Sequence, residues 1–262
     1  MTRILTIANT VWLEIIRKKD VYVLLILLGT LLLILVSLNI FGLGGATRYV
    51  KDLGLLMSWF FSWILAVNIS SREIPTEESR GTVFPLLAKP ITRAEFICGK
   101  WMGTWSVTCV ATLLFYFIII IVVHFKGGTF NLAALLQAFI LHCFVLSIIC
   151  ALAIAFSTRM NNDAAASLTY AVTAVSLLVV PRVPEFMARE TGFSANALMV
   201  IYNLLPHFEV FDMRIRLVHD MGPAAWSTVI MVACYGVLIS FIFLLAAWLA
   251  YRNKRFSRSN LM

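Results

Sequence analysis

Residues 21–40 read VYVLLILLGTLLLILVSLNI and residues 53–70 read LGLLMSWFFSWILAVNIS. Neither stretch holds an ionised side chain, and each is about as long as a helix rising 1.5 Å per residue must be to cross about 30 Å of hydrocarbon. An ionised group at mid-bilayer costs at least about 2.5–3.5 kcal/mol, so gaps between charges mark the spans. Four further gaps run from Lys100 to Lys126, Lys126 to Arg159, Asp163 to Arg182 and Asp220 to Arg252. The expected fold is an all-α integral membrane protein, one domain over residues 1–262. Its six transmembrane helices fall at about 21–42, 53–71, 101–124, 132–157, 164–181 and 227–251. The fifth is the shortest, and a buried or half-crossing helix is its alternative.

Composition agrees. Of 262 residues 61% are hydrophobic and 13% charged, with a mean hydropathy of +0.92. That leaves too little polar surface for a soluble globule and no room for a large extramembrane catalytic domain. A net charge of +8 in a soluble protein would suggest nucleic acid as partner; here it reads as topology, and no nucleic acid is expected. Fourteen of the 21 Lys and Arg residues fall on one side of the expected spans, on the N-terminal segment, the 72–100 connection, Arg159 and the C-terminal tail. Basic residues stay cytoplasmic, so both termini are expected there. With no organelle address in the sequence, a bacterial plasma membrane is the expected location.

The N-terminus does not fit a cleavable signal, because the apolar core after it is about twice a signal's. Instead Ile4, Leu5, Ala8, Val11, Trp12, Ile15 and Ile16 recur at helical spacing, with Arg3, Asn9, Glu14, Arg17 and Lys18 between them. Residues 2–19 are therefore expected to form an amphipathic interfacial helix. Its apolar face, with Trp12, Ile15 and Ile16, would lie among membrane lipid head groups while Arg17, Lys18 and Lys19 meet anionic lipid.

Two connections are too long for turns. Residues 71–100, SREIPTEESRGTVFPLLAKPITRAEFICGK, are expected on the cytoplasmic side. Gly81 permits a tight backbone and Thr82 suits an N-cap. Val83, Phe84, Leu86 and Leu87 form a compact apolar knob on a short helix that Lys89 and Pro90 close. Such a knob asks for a partner, folding back onto its own helices being the alternative. Thr92 to Glu95 reads as a capping box that starts a helix running through Cys98, Gly99 and Lys100 into the third span. Glu73, Glu77 and Glu78, beside Arg72 and Arg80, read as a solvated face. On the far side, residues 182–223 hold ALMVIYNLLP, too short to cross and read as short re-entrant or interfacial helices. The alternating HFEVFDMRIRLVHD that follows is expected along the outer surface.

Few residues carry chemistry. Cys98, Cys109, Cys143, Cys150 and Cys234 form no paired motif, and His207, Glu209, Asp212 and His219 match no metal spacing, so neither a disulfide framework nor a metal site is expected. Asn68, Gln137 and His142 are polar groups within spans; His142 could relay protons or bind substrate, though a hydrogen bond to a neighbouring helix is the commoner use. Clustered carboxylates, a Ser/His arrangement and matched broken helices are all missing, so neither catalysis in the membrane nor an ion-coupled carrier is favoured.

With these residues quoted, the chain resembles the ABC-2 type permeases, the six-helix exporter class that includes the ABCG-like fold. The most specific part is E-x3-GT-x3-LLAKPITR-x-EF-x2-GK, running from Glu77 through Gly81, Thr82, Leu86, Leu87, Lys89, Pro90, Arg93 and Glu95 to Lys100. The resemblance implies that this loop is a cytoplasmic coupling helix docking on a separate ABC ATPase subunit, with Gly81, Thr82, Val83, Phe84, Leu86, Leu87, Lys89, Pro90 and Arg93 at the contact. It implies a second permease copy or a homologous permease, and a conduit lined largely by the second and fifth spans, where Phe61, Trp63, Asn68 and Tyr170 are candidates. ATP and Mg would sit on the partner, since this chain departs from GxxxxGK[ST], with Ala94 and Trp101 at the positions that need Gly and Ser or Thr. The chain is thus expected to be no enzyme by itself but a transport subunit, probing as alternatives a non-transporting envelope scaffold or, third, an ion-coupled carrier.

Overall fold

A computed structural model of the protein describes residues 2–18, 22–23, 26–27, 29–30, 46–79, 92–187, 198–200, 202–203, 205–252 and 254. Its long helices are α1 (Thr2–Lys18), α2 (Ala46–Ser79), α3 (Arg93–Phe125), α4 (Leu132–Ser157) and α5 (Asn162–Leu178). A 3₁₀ turn (Val180–Arg182), α6 (Val183–Met187), a second 3₁₀ turn (Phe208–Phe211), α7 (Arg214–Val218) and α8 (Trp226–Arg252) complete them. Among the described residues five helices are long and apolar enough to cross a membrane: α2, α3, α4, α5 with its extension to Met187, and α8. The first expected span, 21–42, lies largely outside the described residues. The coupling segment 80–91 and much of the expected re-entrant stretch also lie outside them.

Local chemistry starts the helices where the sequence asks. Thr92 and Glu95 form a reciprocal capping box, with Glu95 N donating to Thr92 Oγ1 at 3.2 Å and Thr92 N donating to Glu95 Oε2 at 2.7 Å. Those bonds from Thr92 hold the Glu95 carboxyl, which lies outside the 101–124 span, below its ordinary range. Asn131 Oδ1 accepts from Ala133 N and Ala134 N to start α4, and Asn161 Oδ1 accepts from Ala164 N to start α5. Between α3 and α4, Gly127 adopts φ +74°, a left-handed conformation that glycine enters without a Cβ penalty.

Successive long helices alternate direction, so α2 ends and α3 begins at one end of the bundle, here the near end. The opposite, far end carries the turn into α4. α4 is the central post: Ile148 through Ile154 are each 4% exposed or less, with no solvent- or lipid-facing side. Hydroxyls knit the packing. Thr112 Oγ1 donates to Ser62 Oγ at 2.8 Å between α3 and α2, and Ser147 and Ser240 hydroxyls meet at 2.8 Å between α4 and α8. Small polar side chains let apolar helices approach closely and hydrogen-bond in hydrocarbon.

Two expectations are corrected. The apolar face of α1 meets α3, not lipid. Ile7, Ala8, Val11 and Ile15 are buried while Leu5 and Leu13 point outward, and Trp12 Nε1 donates to Ser106 Oγ at 2.8 Å. Gly99 and Gly103 of α3 make the seat: a Cβ added to them would lie 2.8 Å from Ile7 Cβ and 2.7 Å from Val11 Cβ. The second correction concerns residues 207–220, which do not lie along the outer surface. Phe208, Phe211, Met213, Leu217 and Val218 are buried, so this segment fills the far end of the bundle against α2, α4 and α5. It is pinned there by an ion pair, and the chain just beyond it by a pair of hydrogen bonds. Lys51, 3% exposed, donates to Asp220 Oδ1 at 2.8 Å, and Gln137 exchanges two hydrogen bonds with the backbone of Ala224, at 3.0 and 2.8 Å.

Gly103→Val is expected to lift α1 from its seat. Thiol crosslinking in a Trp12→Cys, Ser106→Cys background should fall by roughly fivefold or more, the ratio that about 1 kcal/mol of overpacking gives.

Candidate functional site: the near-end clasp

Glu73 and Glu77 stand four residues apart on α2 and so share one face. Both meet Lys100, about two turns into α3: Lys100 Nζ donates to Glu73 Oε2 at 2.9 Å and pairs with Glu77 Oε1. Lys100 is 1% exposed and Glu73 5%, which corrects the reading of this acidic run as a solvated face. Helix α2 therefore continues well past the expected end of its span. It carries Arg72, Glu73 and an internal Pro75 to Ser79, because the carboxylates have a cation to meet rather than water.

The clasp extends to the other helix ends. Arg93, the first residue of α3, donates through one terminal nitrogen to the carbonyls of Tyr251 and Arg252, both at 2.6 Å, and of Lys254 at 3.2 Å. It thereby caps the negative C-terminal end of α8. Phe96 stacks on Tyr251 with ring centres 5.8 Å apart, inside a small apolar cluster with Ile74, Ile97, Ile154 and Ala247. Lys254 Nζ bonds Glu78 Oε2 at 2.7 Å and the Thr158 carbonyl, just past α4, at 2.9 Å. Four helix ends are thus fastened around the two residues, Ser79 and Thr92, that bracket the segment 80–91.

Of the residues expected at a docking contact, Arg93 is in this clasp. Gly81, Thr82, Val83, Phe84, Leu86, Leu87, Lys89 and Pro90, with Arg80 beside them, lie outside the described residues. Ile16, Arg17 and Lys18 belong to α1, whose backbone is helical there. Of the conduit candidates, three meet at the α2–α5 contact. Trp63 Nε1 donates to Thr173 Oγ1 at 2.8 Å, Asn68 Nδ2 donates to the Tyr170 hydroxyl at 2.9 Å, and the Trp63 and Tyr170 rings meet edge-on at 5.2 Å. Phe61 is instead buried against Phe115 of α3.

A family model described as ABC-2 family transporter protein matches residues 5–261. The chain belongs to this family. No curated protein matches the sequence closely enough to count as a relative. As an ABC-2 family member it is a multi-pass membrane protein and a permease-type transport component, of a family that pairs with ABC ATPase subunits. The one Gly-Lys pair reminiscent of a phosphate loop, Gly99-Lys100, is occupied otherwise: Gly99 seats Ile7 and Lys100 holds the two carboxylates. Sequence reasoning missed Lys100, Tyr251 and Lys254 as parts of the site. The signal within reach was a lone Lys at the head of an apolar span with a Glu pair at i, i+4 just upstream.

Lys100→Met is expected to strand the buried Glu73 carboxylate and the half-buried Glu77 and lower stability by about 3–5 kcal/mol. Adding Glu73→Gln and Glu77→Gln to the same chain should restore much of the loss. Denaturation midpoints of the detergent-solubilised protein would check both.

Proposed function

We propose that this ABC-2 family member is the membrane subunit of an ATP-driven exporter in a bacterial plasma membrane. It couples ATP hydrolysis on a separate ATPase subunit, which holds ATP and Mg, to movement of a substrate across the bilayer. In this reading the near end faces the cytoplasm with both termini, following the excess of basic residues on that side. Residues 81–93 dock in the ATPase, and the chain works with a second permease, a further copy or a homologue. It performs no covalent chemistry.

The observation that carries the reading is the clasp. A displacement applied to residues 80–91 enters α2 at Ser79 and α3 at Thr92. The two helices are locked to each other by Lys100, and to the end of α8 by Arg93 from α3 and by Glu78 of α2 through Lys254. A push on so short a segment is then shared by three spans, which is what a coupling element needs if it is to rock the helices between access states. Membrane lipid supplies the remaining contacts of the outward-facing apolar side chains.

Gentle purification of the tagged chain from its own membranes should bring a Walker-motif ATPase in stoichiometric amount, identified by mass spectrometry. Phe84→Asp or Leu87→Asp should leave the chain inserted but reduce that recovery by tenfold or more, since a charge would enter an apolar contact at a cost of more than about 1.4 kcal/mol. An ATPase absent even after crosslinking from position 84 would overturn the coupling reading.

A further inference from the structure

Between α2, α4 and α5, toward the far end, a cleft of about 240 Å³ opens on the side of the bundle. α2 contributes Leu56, Trp59, Phe60 and Trp63, and α4 the ridge from His142 to Ile149. Each set follows the i, i+3, i+4, i+7 spacing of one helix face, so the cleft runs along both helices for about 10 Å. Its rim is apolar and outward-facing: Leu56 is 41%, Phe60 46% and Leu178 67% exposed. An occupant would reach it sideways, from the hydrocarbon.

Two polar groups converge on this apolar wall, both against the Trp59 indole. His142 stacks on Trp59 with ring centres 4.5 Å apart and planes 13° from parallel. It is 1% exposed, and its Nδ1 has no hydrogen-bond partner. A buried polar atom left unpaired costs on the order of 1–3 kcal/mol, so such an atom beside a cleft asks for a ligand. Arg214 of α7 lies over Trp59 with its guanidinium carbon 5.5 Å from the ring centre. Asp212 takes its Nε and one terminal nitrogen, at 3.0 and 2.7 Å. The other terminal nitrogen lies outside that pair, and of the two partners Arg214 lines the cleft while Asp212 does not. The pair thus turns its cationic member toward the cavity.

We propose that this cleft binds a single-chain anionic amphiphile, a fatty-acid-like carboxylate taken laterally from the bilayer. Its head meets Arg214 and His142 Nδ1, and the first part of its chain lies along Trp59, Trp63 and Ile149. An anion fits because Arg214, the cationic member of its pair, lines the cavity, and the His142 imidazole in its Nδ1–H tautomer donates to the same oxygens. A single chain fits because the volume is below the roughly 300–1,000 Å³ of sites for drug-sized ligands, and the apolar rim lets the rest of the tail stay in lipid. The binding site stands on its own geometry and does not rest on the transporter reading.

The test uses the full-length protein in nanodiscs and two photoactivatable probes, diazirine-bearing palmitic acid and diazirine-bearing hexadecanol. Mass spectrometry of the peptides locates the label. The acid should label the stretches around Trp59 and His142 saturably and be displaced by palmitate. Arg214→Gln should cut that labelling about tenfold, as loss of a charged hydrogen bond does, while changing labelling by the alcohol less than twofold. Arg214→Lys, which keeps the charge, should retain the preference for the acid, and Val145→Trp, which fills the cleft, should abolish labelling by both. Equal labelling by acid and alcohol in the unmodified protein would overturn the proposal. So would indifference to Arg214→Gln, or crosslinks from Leu56 to a second copy in place of lipid label. The assay needs no ATP. Failure here with an ATPase still co-purifying overturns the cleft alone, and clean labelling without an ATPase supports the cleft while removing the transporter.

Discussion

Lys100 sits between two carboxylates of a neighbouring helix, out of reach of water, and the near end is arranged around that fact. A buried triad of this kind adds little net stability compared with apolar side chains of the same volume, yet removing one member is costly. Its effect is therefore on register. Glu73 and Glu77 are one turn apart on α2, about 6 Å along its axis, and α3 can satisfy both only at one height. With that height fixed, Arg93 arrives under the last carbonyls of α8 and Phe96 arrives against Tyr251. Slide α3 by a turn and the ion triad, the helix cap and the ring stack all fail together.

The two ends of the bundle are held by different chemistry. At the near end the fastenings are mainly ionic and gather the ends of α2, α3, α4 and α8. At the far end a folded segment, residues 207–220, is driven in among the helices by Phe208, Phe211 and Leu217 and locked by Lys51 and Gln137. Between them lies a softer middle of serine, threonine and glycine contacts. Such a middle allows helices to shift relative to one another with less repacking than interdigitated leucines would demand, because small side chains present shallow ridges.

Much of this was legible. Charge gaps marked spans because an unpaired ionised group in hydrocarbon is costly wherever it falls in the chain, and Thr92-Arg93-Ala94-Glu95 announced a helix start because a capping box is a local device. What failed was anything decided by a distant partner. The α2 boundary was set too early, since the carboxylate at 73 looks like a polar stop until Lys100 is placed opposite it. The 207–220 segment alternates apolar and charged residues, a pattern that says half-buried without saying against what, and the structure turns its phenylalanines into the bundle. For α1 the apolar face was evident but its seat was not, although Gly99-x-x-x-Gly103 spelled a close-approach surface. The cleft was partly legible too: positions 56, 59, 60 and 63 share a helix face, but Arg214, far along the chain, could not be set beside them.

The pair formed by Lys51 and Asp220 links positions 169 residues apart. A lysine at the mouth of α2 thus meets Asp220 only after a further 169 residues have been made. At about 5–20 residues per second of synthesis, that interval lasts on the order of ten to thirty seconds. Arg93 faces a similar delay, because the carbonyls it caps emerge only with α8. The two ends of the bundle are therefore fastened by different late segments, the far end by residues 207–224 and the near end by the last turn of α8.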